Sequence, residues 1–94
     1  MAEIRNYIEF KSGNINTANN TFKKITNFID DTLSYSPYLG RIPDNENLKS
    51  KNIRRITALN RYNIFYRVDE QAQMVYILKI ADGRQSADRQ LHGL

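Results

Sequence analysis

The sequence predicts an α+β fold in which an N-terminal α-helical hairpin packs on a three-stranded antiparallel β-meander. Apolar residues recur at helical spacing over the first third of the chain, and a stretch rich in Pro, Gly and Asn with no period follows. From Ile53 onward the pattern changes to the two-residue alternation of strands. Ninety-four residues make one domain, 1–94, with a core only just large enough to hold it, so support from a partner is expected.

Over residues 3–12, Ile4, Tyr7 and Ile8 fall at helical spacing, and Ser12-Gly13-Asn14 supplies turn formers, which predicts a short first helix. Over 17–35, Ala18, Phe22, Ile25, Ile29 and Leu33 succeed one another at intervals of four, three, four and four, one continuous helical face. Asn16 or Thr17 can cap its first turn, and Ser36-Pro37 ends it because the residue before proline is pushed out of the α region. Residues 36–51 carry Pro37, Gly40 and Pro43 and read as a loop. Within it Tyr38 and Arg41 flank Gly40, and the simplest expectation is a turn that tucks Leu39 into the core.

Strands are predicted over 53–59, 62–68 and 74–80. In the first, Ile56 and Ala58 alternate with Arg55, Thr57 and Leu59, and Asn60-Arg61 supplies the turn to the second. There Tyr62, Ile64, Tyr66 and Val68 share one face, opposite Asn63, Phe65 and Arg67, so core packing is the expectation for both tyrosines. After a turn at residues 69–73, the third strand is apolar on both faces except for Lys79, as in a strand well inside a sheet. Residues 85–94 are polar and unpatterned until Leu91 and read as a flexible tail, or one ordered by a partner.

No stretch approaches the roughly 20 apolar residues that span a bilayer. The N-terminus shows no apolar signal core and the chain has no cysteine, which predicts a cytoplasmic protein without disulfides or thiolate metal sites. His92 is the only histidine and no ligand pattern accompanies it, so neither a metal nor a cofactor is expected. The net charge of +4 is uneven: residues 1–47 hold five Lys/Arg against six Asp/Glu, and residues 48–94 hold nine against four. A basic second half favours an acidic partner, either nucleic acid or an acidic protein segment.

Four strings narrow the outline. They are Glu3-Ile4-Arg5-Asn6-Tyr7-Ile8, Pro37-Tyr38-Leu39-Gly40-Arg41-Ile42-Pro43, Arg61-Tyr62-Asn63-Ile64-Phe65-Tyr66-Arg67-Val68 and Asp82-Gly83-Arg84. In order and spacing, over residues 3–84, the chain resembles the ParE branch of the RelE/ParE superfamily of bacterial type II toxin-antitoxin systems, with its "EIxxYI" helix, "PxLGRxxP" loop, "YxIxYRV" strand and terminal "xGR". Members of that superfamily open with a β-strand, and here only Met1-Ala2 precedes the first string. A sheet without that strand exposes an unpaired edge, which predicts pairing there with an antitoxin segment or with a second copy as a homodimer.

The resemblance implies one of two activities and a protein antitoxin as partner. A ParE-like toxin associated with plasmid stabilisation inhibits DNA gyrase, whereas a RelE-like toxin is a metal-independent endoribonuclease that cuts mRNA on the ribosome. A third expectation is a degenerate, non-toxic member that only binds antitoxin or self-associates. For the nuclease, Arg84 matches the late arginine and Arg54 lies near an early basic position, so these two are weak catalytic candidates. The residue after the strand's first tyrosine is Asn63 instead of arginine, and no tyrosine follows Tyr76, which disfavours that chemistry. Independently of catalysis, Arg54, Arg55, Arg61, Arg67, Lys79 and Arg84 are the candidates for a cationic face that binds the target or another anion.

Overall fold

The computed structural model describes residues 8–10 and 19–94. In chain order the elements are β1 (Ile8–Phe10), α1 (Asn19–Leu33), α2 (Glu46–Ser50), β2 (Arg54–Ala58), β3 (Tyr62–Asp69), β4 (Met74–Asp82) and α3 (Ala87–Leu91). The fold is α+β, a helix followed by a three-stranded antiparallel meander, as the pattern predicts. A fourth strand joins it, giving the order β1-β4-β3-β2.

Several expectations change. Ile8–Phe10, inside the expected helix over 3–12, is a strand that runs parallel to β4 with Ile8 opposite Val75 and Phe10 opposite Ile77. The rest of that helix, and the caps at Asn16 and Thr17, lie outside the described residues. The edge of β4 expected to lie open is therefore paired along Val75–Ile77 by a strand from this chain. Within the loop over 36–51, Glu46–Ser50 forms a short helix whose N-cap Asn45 accepts from the Leu48 N–H at 3.1 Å, so that Leu48 is held against the core. The tail is not loose either: Ser86 caps α3 by accepting from the Arg89 N–H at 3.3 Å.

Both faces of the sheet are covered because both faces of β3 and β4 carry large apolar residues. On one face α1 lays Ile25, Ile29 and Leu33 against Ala58, Ile64, Tyr66, Val75, Ile77 and Ile80, with Tyr62 and Val68 at the margin. On the other, Leu48, Ile53, Phe65 and Ala81 form a smaller cluster flanked by Leu78, Leu91 and Leu94. Each fully buried Ile, Leu or Phe stabilises the fold by about 1.5–3 kcal/mol relative to exposure. The register shifts between Phe65 and Tyr66, which oppose Lys79 and Ile77, so Leu78 is the extra residue of a β-bulge. The bulge lets Lys79 share the face of Phe65 while Tyr66 and Ile77 stay beneath α1.

The β2–β3 hairpin turns through Leu59 and Asn60 at φ 56° and 53°, closed by the Arg61 N–H donating to the Ala58 carbonyl at 3.1 Å. This is a type I′ geometry, whose twist matches the strands it joins but which suits glycine and asparagine better than leucine. The expectation that Leu39 enters the core is also corrected. It is 58% exposed, because the Gly40 amide instead seeks the Tyr66 hydroxyl and holds the loop flat on the sheet edge.

Candidate functional site

Gly40 sits where no side chain fits. A Cβ there would lie 2.6 Å from the Tyr66 hydroxyl and 2.8 Å from the Arg55 carbonyl oxygen. That close approach lets the Gly40 N–H donate to the Tyr66 hydroxyl at 2.8 Å, inside the protein. Burial pushes the Tyr66 phenol above its usual range, so it stays a neutral partner for the amide. Next along the chain, Arg41 and Arg55 exchange backbone hydrogen bonds of 3.3 and 2.8 Å, fastening the loop to the free side of β2.

Arg54 completes the clamp. Its guanidinium donates to the Gly40 carbonyl at 2.6 Å and to the Tyr38 carbonyl at 3.4 Å, and stands 5.0 Å from the centroid of the Tyr38 ring. The Tyr38 hydroxyl donates to the Glu70 carboxylate at 2.5 Å, tying the loop to the β3–β4 turn. That hydrogen bond raises the Tyr38 pKa, with burial adding to it. Tyr38, Arg54, Arg67 and Glu70, with Asn52 and Val68, line a cleft of about 430 Å³. Arg67 stacks 4.9 Å from the centroid of the Tyr76 ring.

At the other end of the sheet, Asp82 gathers two of the predicted cations. Arg61 reaches it at 2.9 Å from the β2–β3 turn, and Arg84 reaches it at 3.1 Å. The hydrogen bonds from Arg84 and then Arg61 hold the Asp82 carboxyl well below the usual carboxylate range, and the same bond to Asp82 raises Arg61. Gly83 allows this by close approach: its N–H donates to the Arg61 carbonyl at 2.6 Å, where a Cβ would collide with the same oxygen. The resulting clip carries two guanidiniums and one carboxylate, hence one net positive charge. Asn63 lies beside it, accepting from Thr57 at 2.8 Å and donating to Gln90 at 2.7 Å.

Lys79 has a different task. Its ammonium donates to the main-chain oxygens of Arg89 at 2.6 Å and His92 at 3.0 Å, closing the C-terminal end of α3, and burial lowers its pKa. The structure therefore distributes the six predicted residues. Arg61 and Arg84 form one clip, Arg54 and Arg67 line one cleft, Lys79 holds α3, and Arg55 is exposed beside Phe65.

Two features of the site escape sequence reasoning. Asp82 as the hub of the clip and Glu70 as the partner of Tyr38 both depend on contacts across 21 and 32 residues. The Asp82-Gly83-Arg84 string was the one available signal for the first, and nothing local signalled the second. Among the described residues, no cluster of three or more His, Cys, Asp or Glu could hold a metal ion. Nor is any described helix long and apolar enough to cross a membrane.

Comparison with known proteins adds one finding. Residues 1–87 match the family model described as the ParE toxin of the type II toxin-antitoxin system, parDE. No curated protein and no solved structure matches the chain. The match covers the loop clamp, the meander and the Asp82 clip, and with it the chain belongs to the ParE toxin family of type II toxin-antitoxin systems.

Proposed function

We propose that this ParE-family toxin inhibits DNA gyrase by binding it, without chemistry of its own, and is neutralised by a cognate antitoxin. The observation that carries this reading is how its basic side chains are employed. A nuclease working without metal needs cations free to meet a scissile phosphate and a group to move the 2′-hydroxyl proton. Here Arg84, the late-arginine candidate, is committed with Arg61 to Asp82, and Arg54 clamps the Gly40 loop. Lys79 is committed to α3, and Asn63 is occupied with Thr57 and Gln90. The partly neutralised Asp82 clip, together with exposed Arg55 further along β2, suits recognition of an acidic protein surface, so Arg55, Arg61 and Arg84 are assigned to target contact.

The test is induced expression in bacteria with growth and plasmid supercoiling as readouts. Growth arrest with altered supercoiling, weakened by Arg84→Ala and Arg55→Ala together, is the expected result. Arrest with cut mRNA and normal supercoiling would replace this reading by the endoribonuclease one. Absence of any effect would leave a non-toxic, antitoxin-binding member of the family.

A further inference from the structure

Leu59 stands at the tip of the β2–β3 hairpin in a backbone conformation that its side chain does not favour. Among the described residues, the non-glycine positions with positive φ are Asn52, Leu59, Asn60 and Gln73, and Leu59 is the one apolar residue of the set. In that region the Cβ crowds the following carbonyl oxygen, so a bulky side chain there is an outlier. Packing does not account for it, because Leu59 is 45% exposed and belongs to neither core cluster. The turn does not call for it either, since a type I′ geometry suits asparagine or glycine at this position. An exposed leucine on its own means little, but one kept at a strained position outside the core points to a role outside the fold.

The frame around Leu59 is rigid and basic. The Arg61 N–H closes the turn on the Ala58 carbonyl at 3.1 Å, and the Arg61 carbonyl accepts from the Gly83 N–H at 2.6 Å. Arg61 and Arg84 then grip Asp82 at 2.9 and 3.1 Å, so that the hairpin tip and the end of β4 are fastened together. Leu59 is thus presented to solvent on a backbone with little freedom left to lose on binding, two residues from a clip that carries one net positive charge. We infer that Leu59 is a target-contact residue, an apolar knob that enters an apolar recess on the target protein while carboxylates at the rim of that recess meet Arg61 and Arg84. The inference rests on the toxic action proposed above and holds for whichever protein is the target. Nucleic acid fits less well, because a phosphate backbone would use the guanidiniums and leave Leu59 in water.

The test is to express the full chain in bacteria as parent, Leu59→Asn, Leu59→Gly and Leu59→Met, at toxin levels matched by immunoblot, and to melt the purified proteins. Asn and Gly remove the apolar knob and relieve the turn, so both should melt above the parent, yet about tenfold or more of either should be needed for the same growth arrest. Leu59→Met keeps an apolar side chain and should retain most of the arrest. Loss of toxicity together with gain of stability separates a contact residue from a structural one, which would lose both at once. Full arrest by Leu59→Asn, a lower melting temperature in both Asn and Gly variants, or a parent that arrests nothing would each overturn the inference. Plasmid supercoiling in the same cultures is a separate readout: arrest with unaltered supercoiling would remove gyrase as the target, while the ranking of the variants would still decide the role of Leu59.

Discussion

Substitution of Gly40 by alanine tests the clamp on which the loop and the cleft depend. The added methyl would sit 2.6 Å from the Tyr66 hydroxyl, 2.8 Å from the Arg55 carbonyl and 2.9 Å from Tyr66 Cε1. Tyr66 is fully buried beneath α1 and Arg55 belongs to a paired strand, so neither neighbour can withdraw cheaply. The loop must lift, breaking the 2.8 Å hydrogen bond from the Gly40 amide and the 2.6 Å bond from Arg54 to the Gly40 carbonyl. Overpacking costs about 1–3 kcal/mol and an orphaned buried hydroxyl about 1–3 kcal/mol, so a loss of roughly 2–4 kcal/mol is expected. A domain this size has about 5–15 kcal/mol in all, and the melting temperature should fall by roughly 10–25 °C. Tyr66→Phe alone removes only the hydroxyl and should cost about 1–2 kcal/mol. Because part of the alanine clash is with that hydroxyl, the double variant should lose less than the sum of the two. Urea unfolding with a common m-value reads all three. If Gly40→Ala fell within about 0.5 kcal/mol of the parent, the reasoning about this contact would be wrong.

Further predictions concern separate parts of the fold. Replacing Leu59-Asn60 by Asn-Gly should raise stability by roughly 1 kcal/mol in the same denaturation assay, since both positions have φ near +55° and Leu59 is 45% exposed. Asp82→Asn should flatten the acid limb of the stability profile. The folded pKa of Asp82 is depressed, so its contribution is present above the unfolded value near 4 and is lost as pH falls below that toward the folded one. Chemical denaturation between pH 2 and 6 should therefore show a parent-minus-variant difference that shrinks as pH drops. Lys79→Met should abolish amide-exchange protection in α3 while β3 and β4 keep theirs, because two main-chain oxygens at the end of that helix lose their donor. Ile29→Ala should cost about 2–5 kcal/mol by opening a cavity between α1 and the sheet.

What the sequence revealed follows the range of the interactions. The apolar stripe of Ile25, Ile29 and Leu33 is local, and those residues are the buried face of α1. The alternation of Tyr62, Ile64, Tyr66 and Val68 likewise maps onto the face under α1, and Phe65 onto the opposite cluster. Short elements were less legible because their stability comes from distant partners. Ile8–Phe10 lies in a stretch whose apolar residues fall at helical spacing in the sequence, yet its backbone pairs with Val75–Ile77, more than sixty residues away. The five residues of α3 carry one apolar anchor, Leu91, and owe their placement to Lys79 and to Asn63 on Gln90. Charge was legible as a total and not as a pattern of pairing. The six basic candidates could be named, but only the folded arrangement separates Arg61 and Arg84 on Asp82 from Arg54 and Arg67 on aromatic rings.

The central claim is that the Asp82 clip and Arg55 of this toxin engage gyrase as a binding surface. Purified chain added to gyrase, ATP and relaxed plasmid should suppress supercoiling in a dose-dependent way, with Arg55→Ala/Arg84→Ala markedly weaker than the parent, while mRNA on translating ribosomes stays whole. Full supercoiling in the presence of excess folded toxin, together with cut mRNA, would contradict the claim.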